Sequence, residues 1–122
     1  MKQFILMGMY IVSLTILSAQ DDQEQVWRVW YMKPVQGKAQ NLEKGLKDHV
    51  VKHHGEDQWP EYYYDVLSGP NCGSLMGWSG PHTWKAFDER VRSESDVNHW
   101  NKYVAPYVDN STTGTDFLVF HP

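Results

Sequence analysis

The sequence has little cysteine and little concentrated positive charge. Cys72 is the single cysteine among 122 residues, so no disulfide can form within one chain. We predict that Cys72 is an ordinary turn residue in GPNCG, with a thiol that links two subunits as the alternative. Lys and Arg number 11 against 15 Asp and Glu, for a formal net charge of −4. Because nucleic acids bind to clusters of basic side chains, we expect no nucleic-acid partner.

The sequence also lacks several motifs that announce catalysis. No glycine-rich phosphate loop follows a strand, and neither G-x-S-x-G nor H-E-x-x-H occurs. These absences remove the usual signatures of nucleotide-binding enzymes, α/β-hydrolases and zinc proteases. No internal repeat or low-complexity segment is present. We therefore expect no cofactor.

The longest hydrophobic run lies at the N-terminus. A basic Lys2 precedes the apolar segment Phe4–Leu17, and the small residues Ser18 and Ala19 follow it. This is the layout of a cleavable secretory signal, and the run is shorter than the ~20 residues that span a bilayer. We predict cleavage after Ala19 or one residue later, export to the periplasm or the outside, and no membrane association afterwards. An uncleaved membrane anchor is the alternative. The predicted organisation is a signal peptide (1–19), a polar tether (20–25) and one domain (26–122).

Hydrophobic periodicity predicts the order of the elements. The segment VWRVWYMKP alternates large side chains and predicts a strand that ends at Pro34. Apolar residues at steps of three and four then predict a helix that Gly55 stops. A hairpin, further helix and a last strand follow. The predicted elements are strands Tyr62–Ser68 and Ser74–Ser79, a helix from about Thr83, a new helix capped by Ser95 or Asp96, a loop over DNSTTGTD and a strand in FLVFHP.

This order, β-α-β-β-α-β, predicts an α+β fold of ferredoxin-like type. Such a fold has a four-stranded antiparallel sheet with both helices on one face. The strands nevertheless carry large apolar side chains on both faces, among them Trp27 and Trp78. Burying each such side chain is worth ~1.5–3 kcal/mol, and a bare face would form an adhesive patch. We therefore predict a homodimer that forms through the open sheet face about a twofold axis.

A family resemblance rests on the first strand, the helix KPVQGKAQNLEKGLKDHV, the hairpin YYYDVLSGPNCGSLMGW and the segment GPHTWKAFDER. Together these resemble the dimeric α+β barrel superfamily, which includes antibiotic-biosynthesis-type monooxygenases, haem-degrading monooxygenases and NIPSNAP-like proteins. The small exported bacterial members without an assigned activity are the most similar. The resemblance implies a homodimer and a small-molecule cavity between helices and sheet. The haem-degrading relatives use an Asn on the first strand, whereas VWRVWYM contains none, which argues against haem degradation.

Two histidines on the first helix are the candidate catalytic residues. His49 and His53 are four residues apart, a spacing that can ligate one metal ion from adjacent helical turns and that can place both imidazoles toward a cavity. His53 falls within the apolar stripe, His49 at its edge and His54 on another face. No acidic residue or cysteine follows at a ligand spacing, so no metal is expected. A proton-transfer role and a helix C-terminus enriched in His by the helix dipole both remain open.

Aromatic residues are the candidate ligand-binding group. Aromatic walls bind flat ligands well, although the same spacing also suits an ordinary core. The predicted function is an exported homodimer that binds a small, largely apolar ligand between helices and sheet. The alternatives are a cofactor-independent monooxygenase or isomerase with a helix histidine as proton acceptor, and a structural domain without a site. The predicted ligand-binding residues are Trp30, Tyr64, Trp78, Trp84 and Trp100.

Overall fold

The chain folds as an antiparallel sheet covered by helices. The structure, a computed structural model, describes residues 24–121, so the predicted signal peptide lies outside the described residues. Strand order in the sheet is β2-β3-β1-β4, and every neighbouring pair is antiparallel. No helix in residues 24–121 is long and apolar enough to cross a membrane. The elements are β1 (Val26–Pro34), α1 (Ala39–His53), β2 (Tyr62–Asp65), β3 (Leu75–His82), α2 (Trp84–Glu89), α3 (Glu94–Tyr103), a 3₁₀ turn (Ala105–Tyr107) and β4 (Val108–Val119).

The core lies between one face of the sheet and the helices. Trp30 and Met32 project from β1 into a buried cluster with Leu42 and Leu46 of α1. Gly77 pairs with Trp30 across the sheet, and a Cβ there would lie 2.3 Å from the Trp30 ring. The glycine therefore makes room for the indole, as its position in a strand of large residues suggests.

The two longer helices approach each other closely at one glycine. A Cβ on Gly45 of α1 would lie 2.0 Å from the backbone oxygen of Tyr103, at the end of α3. The missing side chain brings the two backbones together. This contact sets the distance between α1 and α3, and therefore the space available between their facing side chains.

The opposite face of the sheet carries aromatic side chains that no helix in residues 24–121 covers. Trp27 of β1 and Trp78 of β3 stack there with ring centroids 4.6 Å apart. Tyr64 is 50% exposed, and Leu118, which pairs with Trp27 from β4, is 52% exposed. The predicted division of β1 into two apolar faces is confirmed, because Trp30 and Met32 point to the helices and Trp27 points away.

Several predicted element boundaries were wrong. The first hairpin strand ends at Asp65 instead of Ser68. The second continues to His82, through residues expected to form a break. The predicted loop DNSTTGTD lies within β4. Both ends of this segment pair with β1, at Asp109 and from Gly114 to Asp116, and this pairing overrides the poor strand propensity of Asn, Asp and Gly.

The start of α3 also differs from its prediction. Ser93 is the N-cap, and its hydroxyl accepts a hydrogen bond from the Asp96 backbone N–H at 3.1 Å. The caps predicted at Ser95 or Asp96 were therefore two or three residues too late. The earlier cap places Asp96 in the first turn, where its side chain turns inward and is buried.

Candidate functional site

Four histidines meet where the end of α1 faces α3. His49 and His53 belong to the last turns of α1, and His54 is its C-cap. His99 comes from α3, one turn after Asp96. His49 is completely buried, and His54 and Asp96 are only 3% and 6% exposed. The cluster is thus an interior feature at the helix–helix contact.

Short distances connect the polar atoms of this cluster. His49 Nε2 lies 3.2 Å from His54 Nε2 and 3.2 Å from Asp96 Oδ1. The third side of this triangle, from His54 Nε2 to Asp96 Oδ1, measures 3.7 Å. On its other edge, His49 Nδ1 lies 2.9 Å from His99 Nδ1. Two groups of three side chains therefore bring potential ligand atoms together: His49, His54 and Asp96, and His49, His53 and His99.

Asp96 is held by the arginine one helical turn before it. Arg92 Nε donates to Oδ2 at 3.1 Å and Nη2 donates to Oδ1 at 2.6 Å. Burial opposes ionisation of Asp96, but the hydrogen bonds and charge of Arg92 outweigh it and place the pKa of the carboxyl below its ordinary value. Asp96 is consequently a carboxylate at neutral pH.

Burial keeps the neighbouring imidazoles neutral. It lowers the pKa of His49 to about 4, with a further contribution from His54. Burial likewise lowers the pKa values of His53 and His99. His49, His53 and His99 are therefore neutral beside the Asp96 carboxylate at neutral pH.

A separate small cavity lies between the sheet and the helices. Its volume is about 70 Å³. Trp30 and Trp100 provide aromatic walls, and three arginines supply most of the polar lining. All seven lining residues are Arg28, Trp30, Glu61, Tyr63, Arg90, Arg92 and Trp100.

The charges around this cavity do not cancel. Arg90 lies 3.5 Å from the buried Glu61, whose other oxygen accepts a hydrogen bond from Tyr63 at 2.8 Å. Arg92 is paired with Asp96. Arg28 rests over the Trp30 ring at 4.7 Å, and no carboxylate in residues 24–121 pairs with it. Three guanidinium groups thus face two carboxylates.

The predicted ligand-binding aromatics are divided among three places. Trp30 and Trp100 line the cavity together. Tyr64 and Trp78 lie near each other on the open sheet face, with ring centroids 6.4 Å apart. Trp84 is 38% exposed and packs against Phe117 of β4 instead of closing the cavity. One common aromatic pocket is therefore not formed within a single chain.

The predicted positions of the histidines need correction. His53, placed by its spacing in the apolar stripe, is only partly buried, whereas His49 at the stripe's edge is fully buried. His54, predicted on another face, turns inward because the helix ends there and its Nδ1 reaches the Trp59 carbonyl at 2.8 Å. Neither His49 nor His53 lines the cavity.

The partners of His49 from α3 were missed. Asp96 and His99 follow 47 and 50 residues later, a separation at which no spacing rule applies. Arg92 and Asp96 have opposite charges four residues apart, and this spacing is the one signal in the sequence that points to their ion pair across the start of α3. Nothing in the sequence alone indicates that this part of α3 meets the end of α1.

Comparison with known proteins shows a fold and no more. Among solved structures, that of Rv0793 from Mycobacterium tuberculosis superposes with a TM-score of 0.52 at 16% sequence identity. The match covers 80% of this chain and 93% of that chain. No family model and no curated protein matches the sequence.

Proposed function

We propose that the protein is an exported homodimer of ferredoxin-like subunits, of the dimeric α+β barrel type, that binds a small anionic molecule between its helices and its sheet. The ligand would place a carboxylate or similar group against Arg28, Arg90 and Arg92. The observation that carries this proposal is the guanidinium of Arg28, which has no carboxylate partner in residues 24–121 and lies in a lining of three arginines and one carboxylate, Glu61.

Arg28 is half-buried and has lost part of its contact with water. A charge that is partly removed from water gains from a partner, because desolvation of an ion is costly. Glu61 and Asp96 each have an arginine, so Arg28 has the weakest compensation in the lining. An anion in the cavity would complete the pairing. Guanidinium groups suit this role because their planar donors match carboxylate geometry.

The aromatic walls favour a ligand that also has a flat or apolar part. Trp30 and Trp100 border the cavity, and Tyr63 meets the Trp30 ring edge to face at 5.7 Å between centroids. The cavity of about 70 Å³ accommodates a few heavy atoms, so the anionic end enters first and any larger part extends outward. This adds a charged end to the largely apolar ligand that the sequence predicted.

The open sheet face supports the dimeric part of the proposal. Trp27, Trp78 and Leu118 lie on one surface together with exposed tyrosines of β2. An apolar sheet face of this kind is matched best by a second copy of itself, because a twofold axis brings identical patches together. A dimer formed in this way leaves the cavity on the helical side accessible.

Direct proton transfer by a helix histidine is less well supported. The enzymatic alternative needs His49 or His53 beside the ligand, and the cavity lining contains neither. His99 lies in a different, open groove on the surface of α3. The proposal therefore concerns binding, and the monooxygenase or isomerase activity stays a prediction from the sequence.

The binding proposal is tested by comparing phenylacetate with its neutral isostere phenylacetamide. NMR titration of the indole N–H signals of Trp30 and Trp100 in the untagged mature protein reports occupation of the cavity. We expect phenylacetate to bind at least about tenfold more tightly, a difference of about 1.4 kcal/mol. Arg28→Met should abolish that preference, while Lys38→Met, which removes an exposed positive charge away from the cavity, should preserve it. Equal binding of both compounds, or no effect of Arg28→Met, would contradict the proposal.

A further inference from the structure

The cluster of His49, His54 and Asp96 has the dimensions of a metal site. Ligand atoms around a tetrahedral Zn²⁺ lie about 2.0–2.1 Å from the ion, and hence about 3.3 Å from one another. The three atoms here are separated by 3.2, 3.2 and 3.7 Å. A point about 2.0 Å from all three lies almost in their plane, and a small displacement opens a fourth tetrahedral position.

The surrounding hydrogen bonds orient the lone pairs toward this point. His54 Nδ1 donates its proton to the Trp59 carbonyl at 2.8 Å, so its Nε2 carries a lone pair when the ring is neutral. His49 can donate Nδ1–H to His99 Nδ1 at 2.9 Å, which frees its Nε2 in the same way. Metal-binding histidines typically donate their other N–H to a carbonyl or another acceptor.

Protons alone do not satisfy the three converging atoms. With the ring of His54 neutral, the Asp96 carboxylate and His54 Nε2 are both acceptors, and His49 Nε2 has at most one proton to share between them. That proton leaves one short acceptor–acceptor contact in a buried place. Asp96 Oδ1 accepts from Arg92 and retains a second lone pair for a cation. A single cation would satisfy all three atoms at once.

We propose that His49, His54 and Asp96 bind one Zn²⁺ ion or a similar divalent transition-metal ion. Two imidazole nitrogens and one carboxylate oxygen match the ligand preference of zinc, whereas Mg²⁺ and Ca²⁺ prefer oxygen alone. Three protein ligands leave the fourth position for water or another small ligand. The site is separate from the arginine cavity, although Arg92 borders both through Asp96. The proposal does not depend on ligand binding in that cavity.

Zinc binding is measured on the untagged mature protein after removal of metals with a chelator. After incubation with Zn²⁺ and desalting, elemental mass spectrometry should find one zinc per chain, and Mg²⁺ should not be retained. X-ray absorption should show two imidazole ligands with oxygen ligands at about 2.0–2.1 Å and no sulfur. A spectrum with fewer than two imidazoles, or no retained zinc, overturns the proposal.

Matched glutamine variants locate the ion. His54→Gln should weaken zinc binding at least about 100-fold, whereas His53→Gln in the same helix turn should change it by less than about tenfold. The reverse result would place the ion among His49, His53 and His99 and would overturn the assignment. Should His54→Gln prove unfolded by circular dichroism, the absorption spectrum of the wild-type protein decides the question alone.

Discussion

At the scale of single residues, His82 occupies an aromatic stack beside an arginine. Its ring lies flat against Trp59 with 3.6 Å between centroids and meets Phe87 edge to face. Arg90 covers Trp59 at 4.5 Å. Since the single hydroxyl proton of Ser79 goes to the Pro60 carbonyl, His82 Nε2 donates to the Ser79 oxygen. Burial, followed by the positive charge of Arg90, lowers the pKa of His82.

This lowered pKa predicts a contribution to acid sensitivity. As pH falls below 6.5, the ordinary value, His82 takes up a proton in the unfolded chain before it does so in the folded protein. The free energy of unfolding therefore decreases as pH falls through 6.5, until His82 is protonated in the folded protein as well. His82→Phe keeps the ring contacts and removes the titrating group, so its stability should decline less steeply over that range in urea unfolding.

The control removes a histidine that lies outside any such stack. His121 is exposed at the end of the described chain, and His121→Phe should leave the pH dependence unchanged. Comparing the slopes of the two variants with wild type separates His82 from His49, His53 and His99, whose pKa values are also lowered and which remain in both. An identical slope for His82→Phe and wild type would contradict the assignment.

Some residues of the two candidate sites could be predicted from the sequence and others could not. Periodicity identified His49 and His53 because residues four apart share a helix face. It could not identify Asp96, because the contact depends on how α1 and α3 pack, which Gly45 controls through Tyr103. Arg28, Arg90 and Arg92 are individually unremarkable in the sequence. They converge because β1, which carries Arg28, lies beside the connection between α2 and α3, which carries Arg90 and Arg92, and only the three-dimensional structure shows this.

At the scale of elements, the order of strands and longer helices was predictable and their ends were not. Alternation in VWRVWYMKP placed β1 correctly through Pro34, since both of its faces carry large apolar residues. The segment DNSTTGTD carries no apolar alternation, and its strand conformation comes from pairing with β1. Local propensity therefore fails to predict a strand whose conformation depends on hydrogen bonds to a neighbouring strand, here β1.

The cap of α3 gives a prediction for one element. The Ser93 hydroxyl accepts a hydrogen bond from the Asp96 N–H, one of the first-turn backbone donors that have no acceptor within the helix. Ser93→Ala should lower the free energy of unfolding by about 1 kcal/mol, measured by chemical denaturation. Ser95→Ala is the matched control, because Ser95 is exposed and lies inside the helix rather than at its cap. A loss at Ser95 equal to that at Ser93 would mean that the cap has been misplaced.

At the scale of the whole molecule, the two faces of the sheet have different functions in the proposed assembly. The helical face encloses the core, the arginine cavity and the histidine cluster. The other face presents a stacked tryptophan pair with exposed side chains around it. This division lets the sheet hold two subunits together without using the residues that form either proposed site.

The dimer prediction is tested with two leucines of different location. Leu118 pairs with Trp27 on the open sheet face and is 52% exposed, while Leu67 is 85% exposed in the loop after β2. Leu118→Glu would place two carboxylates in the interface, one from each copy, without partners. Because burying an unpaired charge costs several kcal/mol, the dimer should dissociate at least about 100-fold more readily in sedimentation equilibrium. Leu67→Glu adds the same charge and should leave the dimer intact. A wild-type protein that sediments as a monomer at all concentrations would exclude this assembly, whereas the metal and ligand measurements on single subunits would still stand.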